Sequence, residues 1–286
     1  MRMPLFVLFM LLASGCTTGS LPSFSPSVSL PDVAFRTSAQ HDSVMADREW
    51  PYVLTMKNEG AGLLYYGSWH TNDADDPQIA DIETRFTEFR PTVAVTENTG
   101  GFHLPGRKQK IKFLGEFGQV IHLAEEAGIP VWTLEPTWED EVSLVLETFS
   151  REEATLFYTL RVYLSERGDE VRPEKLEDLA LHLLKKRGAR TGLDRSVSSI
   201  EEMDAVWTSQ FFDERDWRTL PSSAVWPNDD GTRLQQLSAL VNQVRDRHAA
   251  AIILELTARG ERVFAIAGGS HVVKQEPVLR AGLSGQ

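Results

Sequence analysis

The chain has 286 residues, 42% hydrophobic and 24% charged, enough apolar sequence for a sizeable folded core and too much for wholesale disorder. Lys and Arg number 29 against 41 Asp and Glu, a net charge of −12 that argues against nucleic acid as the main partner. A single cysteine excludes an intrachain disulfide, a multi-cysteine zinc site and an iron–sulfur cluster.

In chain order, Arg2 and an apolar run from Leu5 to Ala13 precede Ala13-Ser14-Gly15. The run is too short for a stable spanning anchor and reads as a secretion signal. Leu12-Ala13-Ser14-Gly15-Cys16 resembles a bacterial lipobox. The resemblance implies cleavage of residues 1–15 and acylation of Cys16, hence an extracytoplasmic, lipid-anchored protein of the cell envelope, on the outer membrane if the cell is Gram-negative. Residues 16–48 are expected to be a tether, Ser- and Pro-rich through Pro31 and too poor in apolar groups to fold. Residues 49–286 are expected to form one domain that touches the membrane only through the lipid.

Within that domain, short apolar runs at Leu63–Gly67, Thr92–Thr96, Ile129–Leu134 and Arg262–Ala267 predict strands covered on both faces. Helical patterns lie between them at Gln78–Phe89, Gly118–Ala127 and Glu139 to about Arg187. A further stripe at Leu234, Leu237, Val241, Val244, His248, Ala251 and Ile252 predicts a helix over Thr232–Arg259. This alternation predicts an α/β fold with a mainly parallel sheet flanked by helices. Residues 139–230 contain no convincing strand and are expected to be a helical insertion before the last strand, placed to roof a site.

Two of the strands end alike, in Gly67-Ser68-Trp69-His70 and Gly268-Gly269-Ser270-His271, and two end in acids, Glu97 and Glu135. In a parallel sheet all four side chains converge at the carboxyl edge, where open α/β folds bind ligands. Imidazole and carboxylate together suit a divalent transition metal that generates hydroxide, or a histidine base acting on water without metal; the residues leave both open. Taken singly, either histidine could be a loop residue making one hydrogen bond. Glu135 could instead cap the helix that starts near Glu139. His248 reads as a core histidine, and His41, His103, His122 and His182 carry no partner pattern. Arg245 could reach the sheet edge to stabilise an anionic intermediate, and Trp69, Trp132 and Trp138 flank the expected site.

The paired Gly-x-x-His strand ends with a strand-end Glu between them, together with Arg90-Pro91-Thr92, Gly115-Glu116-Phe117-Gly118, Leu134-Glu135-Pro136 and Val244-Arg245-Asp246-Arg247-His248, resemble a superfamily. It groups erythromycin esterase-like hydrolases, ChaN-like haem-binding lipoproteins and TraB/Tiki-type metalloproteases. The resemblance runs from about residue 52 to the end. It implies His70, Glu97 and His271 in the site, as catalytic groups or metal ligands, with Arg245 as the arginine of a late Arg-Asp helix and Glu116 and Glu135 as further binding positions. It implies a hydrolase of ester, lactone or peptide bonds with a small-molecule or peptide substrate, or a haem- or iron-binding lipoprotein without turnover. Membership alone does not choose between them.

Overall fold

The computed structural model describes residues 20–46, 48, 50–57, 60–97, 100, 104–168 and 172–284. Its elements are α1 (Ser38–Met45), β1 (Tyr52–Lys57), β2 (Gly62–Ser68), α2 (Pro77–Phe89), β3 (Val93–Thr96), α3 (Arg107–Leu114), α4 (Glu116–Ala127), β4 (Val131–Thr133), α5 (Trp138–Leu146), α6 (Arg151–Glu166), α7 (Pro173–Gly188), α8 (Ile200–Val206), α9 (Arg233–Ala258), β5 (Arg262–Gly268) and α10 (Gly269–Ser284). The sheet order is β1-β2-β5-β3-β4, and every pair is parallel except β1 with β2. The expected α/β architecture is therefore present, with one unanticipated antiparallel strand at its edge.

Side-chain alternation sorts the sheet into two buried faces. Leu63, Tyr65, Val93, Val95, Val263 and Ala265 face α9 and α10, whereas Leu64, Tyr66, Ala94, Phe264 and Ile266 face α2 and α4. Because both faces are covered, β2, β3 and β5 read as continuous apolar runs. Local signals set the helix ends. Asp76 caps α2, with Pro77 at its first turn; the helical stretch expected from Glu139 to about Arg187 is three helices, α5, α6 and α7, with a Ser150–Glu153 capping box opening the second and Pro173 the third.

The insertion between β4 and α9 contains no strand among its described residues, its regular elements being helices joined by loops, and has a core of its own, built from α5 to α8 and the first half of α9. Helix α9 belongs to both cores. Leu234, Leu237 and Val241 enter the insertion, and Ala249, Ile252, Ile253 and Leu256 enter the sheet. Arg245 and Asp246 stand at the crossover, both buried.

The signal segment and Cys16 lie outside the described residues. From Ser20 onward the expected tether is instead laid against the domain. Ser20 bridges to Gly100 and Ser23 to Thr133, the Phe24 ring packs edge-on to Trp132 with centroids 5.7 Å apart, and Val28, Leu30 and Phe35 meet the α9–α10 face. Ser27 donates its N–H to Glu255, and Arg36 pairs with Glu276 at 2.8 Å. The physical reason is that an extended chain needs only one apolar side to dock. Four well-spaced apolar side chains supply it where composition averages them away.

Candidate active site

The carboxyl ends of the four parallel strands meet, and the candidate residues form two clusters there, Glu97, Glu135, Arg245 and His271 in one and His70 with Glu116 in the other. They are joined through the Ala267–Gly268 peptide, whose carbonyl accepts from Ser68 Oγ and whose N–H donates to Glu97. Glu97 follows β3 and is its centre. Its Oε1 accepts from Arg245 Nη2 at 2.7 Å and its Oε2 accepts the Gly268 N–H at 2.7 Å. His271 Nε2 lies 3.5 Å from Glu97 Oε1. Burial alone would raise the Glu97 pKa, but the positive charges of His271 and Arg245 and the Gly268 N–H hold it down at about 2. Glu97 is therefore an ionised anchor across the neutral range.

Arg245 reaches the sheet edge as expected and clamps two carboxylates. Its Nε and Nη2 donate to Glu135 at 2.6 and 2.7 Å while Nη2 also serves Glu97. Its Nη1 donates to no described residue, and the side chain lines the cleft above. Glu135 thus acts through Arg245; Thr137, whose hydroxyl accepts the Asp140 N–H, caps α5 instead.

The two similar histidine motifs fold differently. His70 sits on an exposed loop beyond β2, whereas His271 lies buried in the first turn of α10. Each presents Nδ1 to a buried carboxylate: His70 to Glu116 at 2.9 Å and His271 to Asp246 at 2.7 Å. An ionised carboxylate only accepts, so Nδ1 carries the proton and Nε2 is left for chemistry. The hydrogen bond to Glu116, outweighing partial burial, raises the His70 pKa. Burial alone would lower the pKa of His271; the charges of Asp246 and Glu97 outweigh it and raise it.

Glu116 opens α4 after Gly115, is 1% exposed, and accepts from Ser68 Oγ at 3.0 Å and the Thr71 N–H at 3.1 Å. It is a positioning group for His70 rather than a cofactor ligand. Glycine is needed at Gly67, where a Cβ would stand 2.7 Å from the Tyr52 carbonyl and 2.9 Å from Gly269 Cα. Gly268 differs. A Cβ there would sit 3.5 Å from Glu97 Oε2 and 3.7 Å from His70 Nε2, in ordinary contact and between the two working groups. Gly268→Ala is accordingly expected to leave stability within about 0.5 kcal/mol of the parent, as urea unfolding would read.

Sequence reasoning missed Asp246, Tyr65 and Gln275. Gln275 Nε2 donates to Asp246 at 2.7 Å. The Tyr65 hydroxyl and Gln275 Oε1 are buried without a well-formed hydrogen bond among the described residues, and both residues line a cavity of about 10 Å³ beside Glu97 and His271. The signals available were an acid next to Arg245 on a buried helix and an amide one turn after His271. Of the tryptophans, Trp138 lines the cleft, Trp132 packs on Phe24 and Trp69 donates to Asp76. His122 approaches Glu126, His248 is half-buried, and His103 lies outside the described residues.

Three metal ligands at His70, Glu97 and His271 do not fit this arrangement. Both strand-end carboxylates are turned onto a guanidinium, and among the described residues no three His, Cys, Asp or Glu side chains converge as a cation requires. Cavity size is no guide either. The largest cavity, about 1210 Å³, lies between the docked N-terminal segment, α5 and α9, and none of the six candidate residues lines it. No family model, curated protein or solved structure matches this chain.

Proposed function

We propose that this protein is a hydrolase of an ester, lactone or amide bond in which His70 is the general base. The observation that carries the reading is the Glu116–His70 pair, with Nδ1 held at 2.9 Å and Nε2 free on the side of Glu97 and Gly268. In the reaction, a water proton passes to His70 Nε2 while its oxygen bonds to the carbonyl carbon. The carbonyl electron pair moves onto oxygen, where Arg245 Nη1 stabilises the charge. Collapse breaks the bond to the leaving group, which takes the proton from His70. His271, largely buried, stands beside this centre with its Nε2 3.5 Å from Glu97 Oε1. A divalent metal, if bound, would lower the pKa of a water; the residues above perform each step without one.

A panel of ester, lactone and peptide substrates, run with the parent and His70→Ala, tests this proposal, with elemental analysis of untagged protein beside it. Turnover lost in the variant supports it. Stoichiometric metal with turnover independent of His70 replaces it with the metal-dependent reading. The exposed ring of His70 also favours a second reading, in which His70 would hold haem iron as in the ChaN-like branch of the resemblance. Haem titration would then give a Soret band that His70→Ala removes.

We also place the domain at the membrane through acylated Cys16. Cys16→Ala is expected to move the protein from the detergent-rich to the aqueous phase on partitioning and to abolish palmitate labelling.

A further inference from the structure

A cleft of about 550 Å³ opens between the sheet edge and helices α5 to α7, with Glu97, Glu135 and Arg245 on its floor. Its walls carry Arg161 on α6, Arg187 on α7 and Arg190 just beyond. None of these three has a carboxylate within ion-pair distance among the described residues, and the Arg187 Nε is buried without an acceptor. Arg190 is stacked 3.4 Å above the Trp138 ring, which fixes the plane of its guanidinium.

The anions present do not neutralise them. Glu97 and Glu135 are both committed to Arg245. Glu141 accepts the Tyr158 hydroxyl at 2.7 Å, and neither it nor Glu139 forms an ion pair with these arginines among the described residues, although their charges reach Arg190 and that of Glu141 reaches Arg161. Burial, then the charge of Arg245, lowers the pKa of Arg161; burial, then the charge of Arg187, lowers that of Arg190. These are the directions expected of cations short of counter-charge. In a chain of net charge −12, a cleft with three uncompensated guanidiniums is not a product of overall composition.

We infer that Arg161, Arg187 and Arg190 bind a dianionic oxyanion of the phosphate-monoester class and hold it over the Glu97–Arg245 floor. Guanidinium forks match phosphate oxygens in pairs, and two or more of them suit a double charge. The inference rests on the hydrolytic reading only in making this anion part of the substrate; binding itself is read without turnover.

Calorimetric titration of the full chain with inorganic phosphate at low ionic strength is expected to give one saturable site. Arg161→Gln with Arg190→Gln should weaken it about a hundredfold, each charge-assisted bond being worth roughly a factor of ten. Arg161→Gln alone, expected to weaken binding about tenfold, serves if the double variant does not fold. His70→Ala should leave phosphate affinity unchanged while removing turnover, so failure of the catalytic proposal and failure of this one are separable. Glycerol 3-phosphate and soluble dihexanoyl phosphatidic acid as further titrants distinguish the sources: tighter binding of the second assigns a lipid headgroup, equal binding a free phosphate ester. Absence of saturable phosphate binding, or equal affinity in the arginine variants, overturns the inference.

Discussion

His70→Ala is expected to lower kcat/KM by about 10²- to 10⁴-fold, the usual worth of a positioned general base, with the folded structure retained because the ring is exposed. The more discriminating variant is Glu116→Gln, which keeps an acceptor for Ser68 and Thr71 and removes the charge. A base works only when neutral. With its pKa raised by Glu116, His70 gives the parent an acid limb above the ordinary value of 6.5, activity falling as pH drops through it. Glu116→Gln removes the largest raising influence, so the limb should move to lower pH even as the maximum rate declines. The NMR titration of His70 should shift in the same direction. An unmoved limb would mean that another residue supplies the base.

The second large effect concerns stability. Arg245→Ala leaves Glu97 and Glu135 charged, largely buried and without their cation, and is expected to cost about 3–5 kcal/mol in urea unfolding. Arg245→Met with Glu97→Gln and Glu135→Gln should recover part of that loss, because the isolated charges rather than lost packing cause it. The pH profile of the parent follows the same network. Glu97, lowered from 4.5 to about 2, contributes stability that is present above pH 4.5 and disappears as pH falls toward 2. His271, raised from 6.5, contributes below pH 6.5, and that contribution is lost as pH rises through its folded pKa. The network is therefore most stabilising between these limits, measurable as the urea midpoint against pH.

The sheet was legible because its parallel strands are buried on both faces, which leaves uninterrupted apolar runs such as Val93–Thr96. Strand β1 was not legible. It lies at the edge, with two of its six residues exposed, so Thr55 and Lys57 dilute its pattern. Helix α3 escaped for a related reason, since among its Arg and Lys residues only Lys110, Ile111 and Leu114 are buried. At the site, the four strand-end residues were found because parallel topology alone carries them to one edge. Their partners were not: Asp246 reaches His271 from a helix 25 residues earlier, and no local periodicity encodes that meeting. The same limit hid the cleft, whose arginines at 161, 187 and 190 look like solvated helix faces until the helices are stacked.

Helix α9 carries a consequence for traffic through the molecule. At 26 residues it is a rod of about 39 Å, rooted at one end in the insertion and at the other in the sheet. Swinging the insertion away would bend that rod near Arg245 or pull the guanidinium from both of its carboxylates. A hinged lid is thus the costly way in. Anything that enters the cleft should come and go sideways while its ceiling stays still.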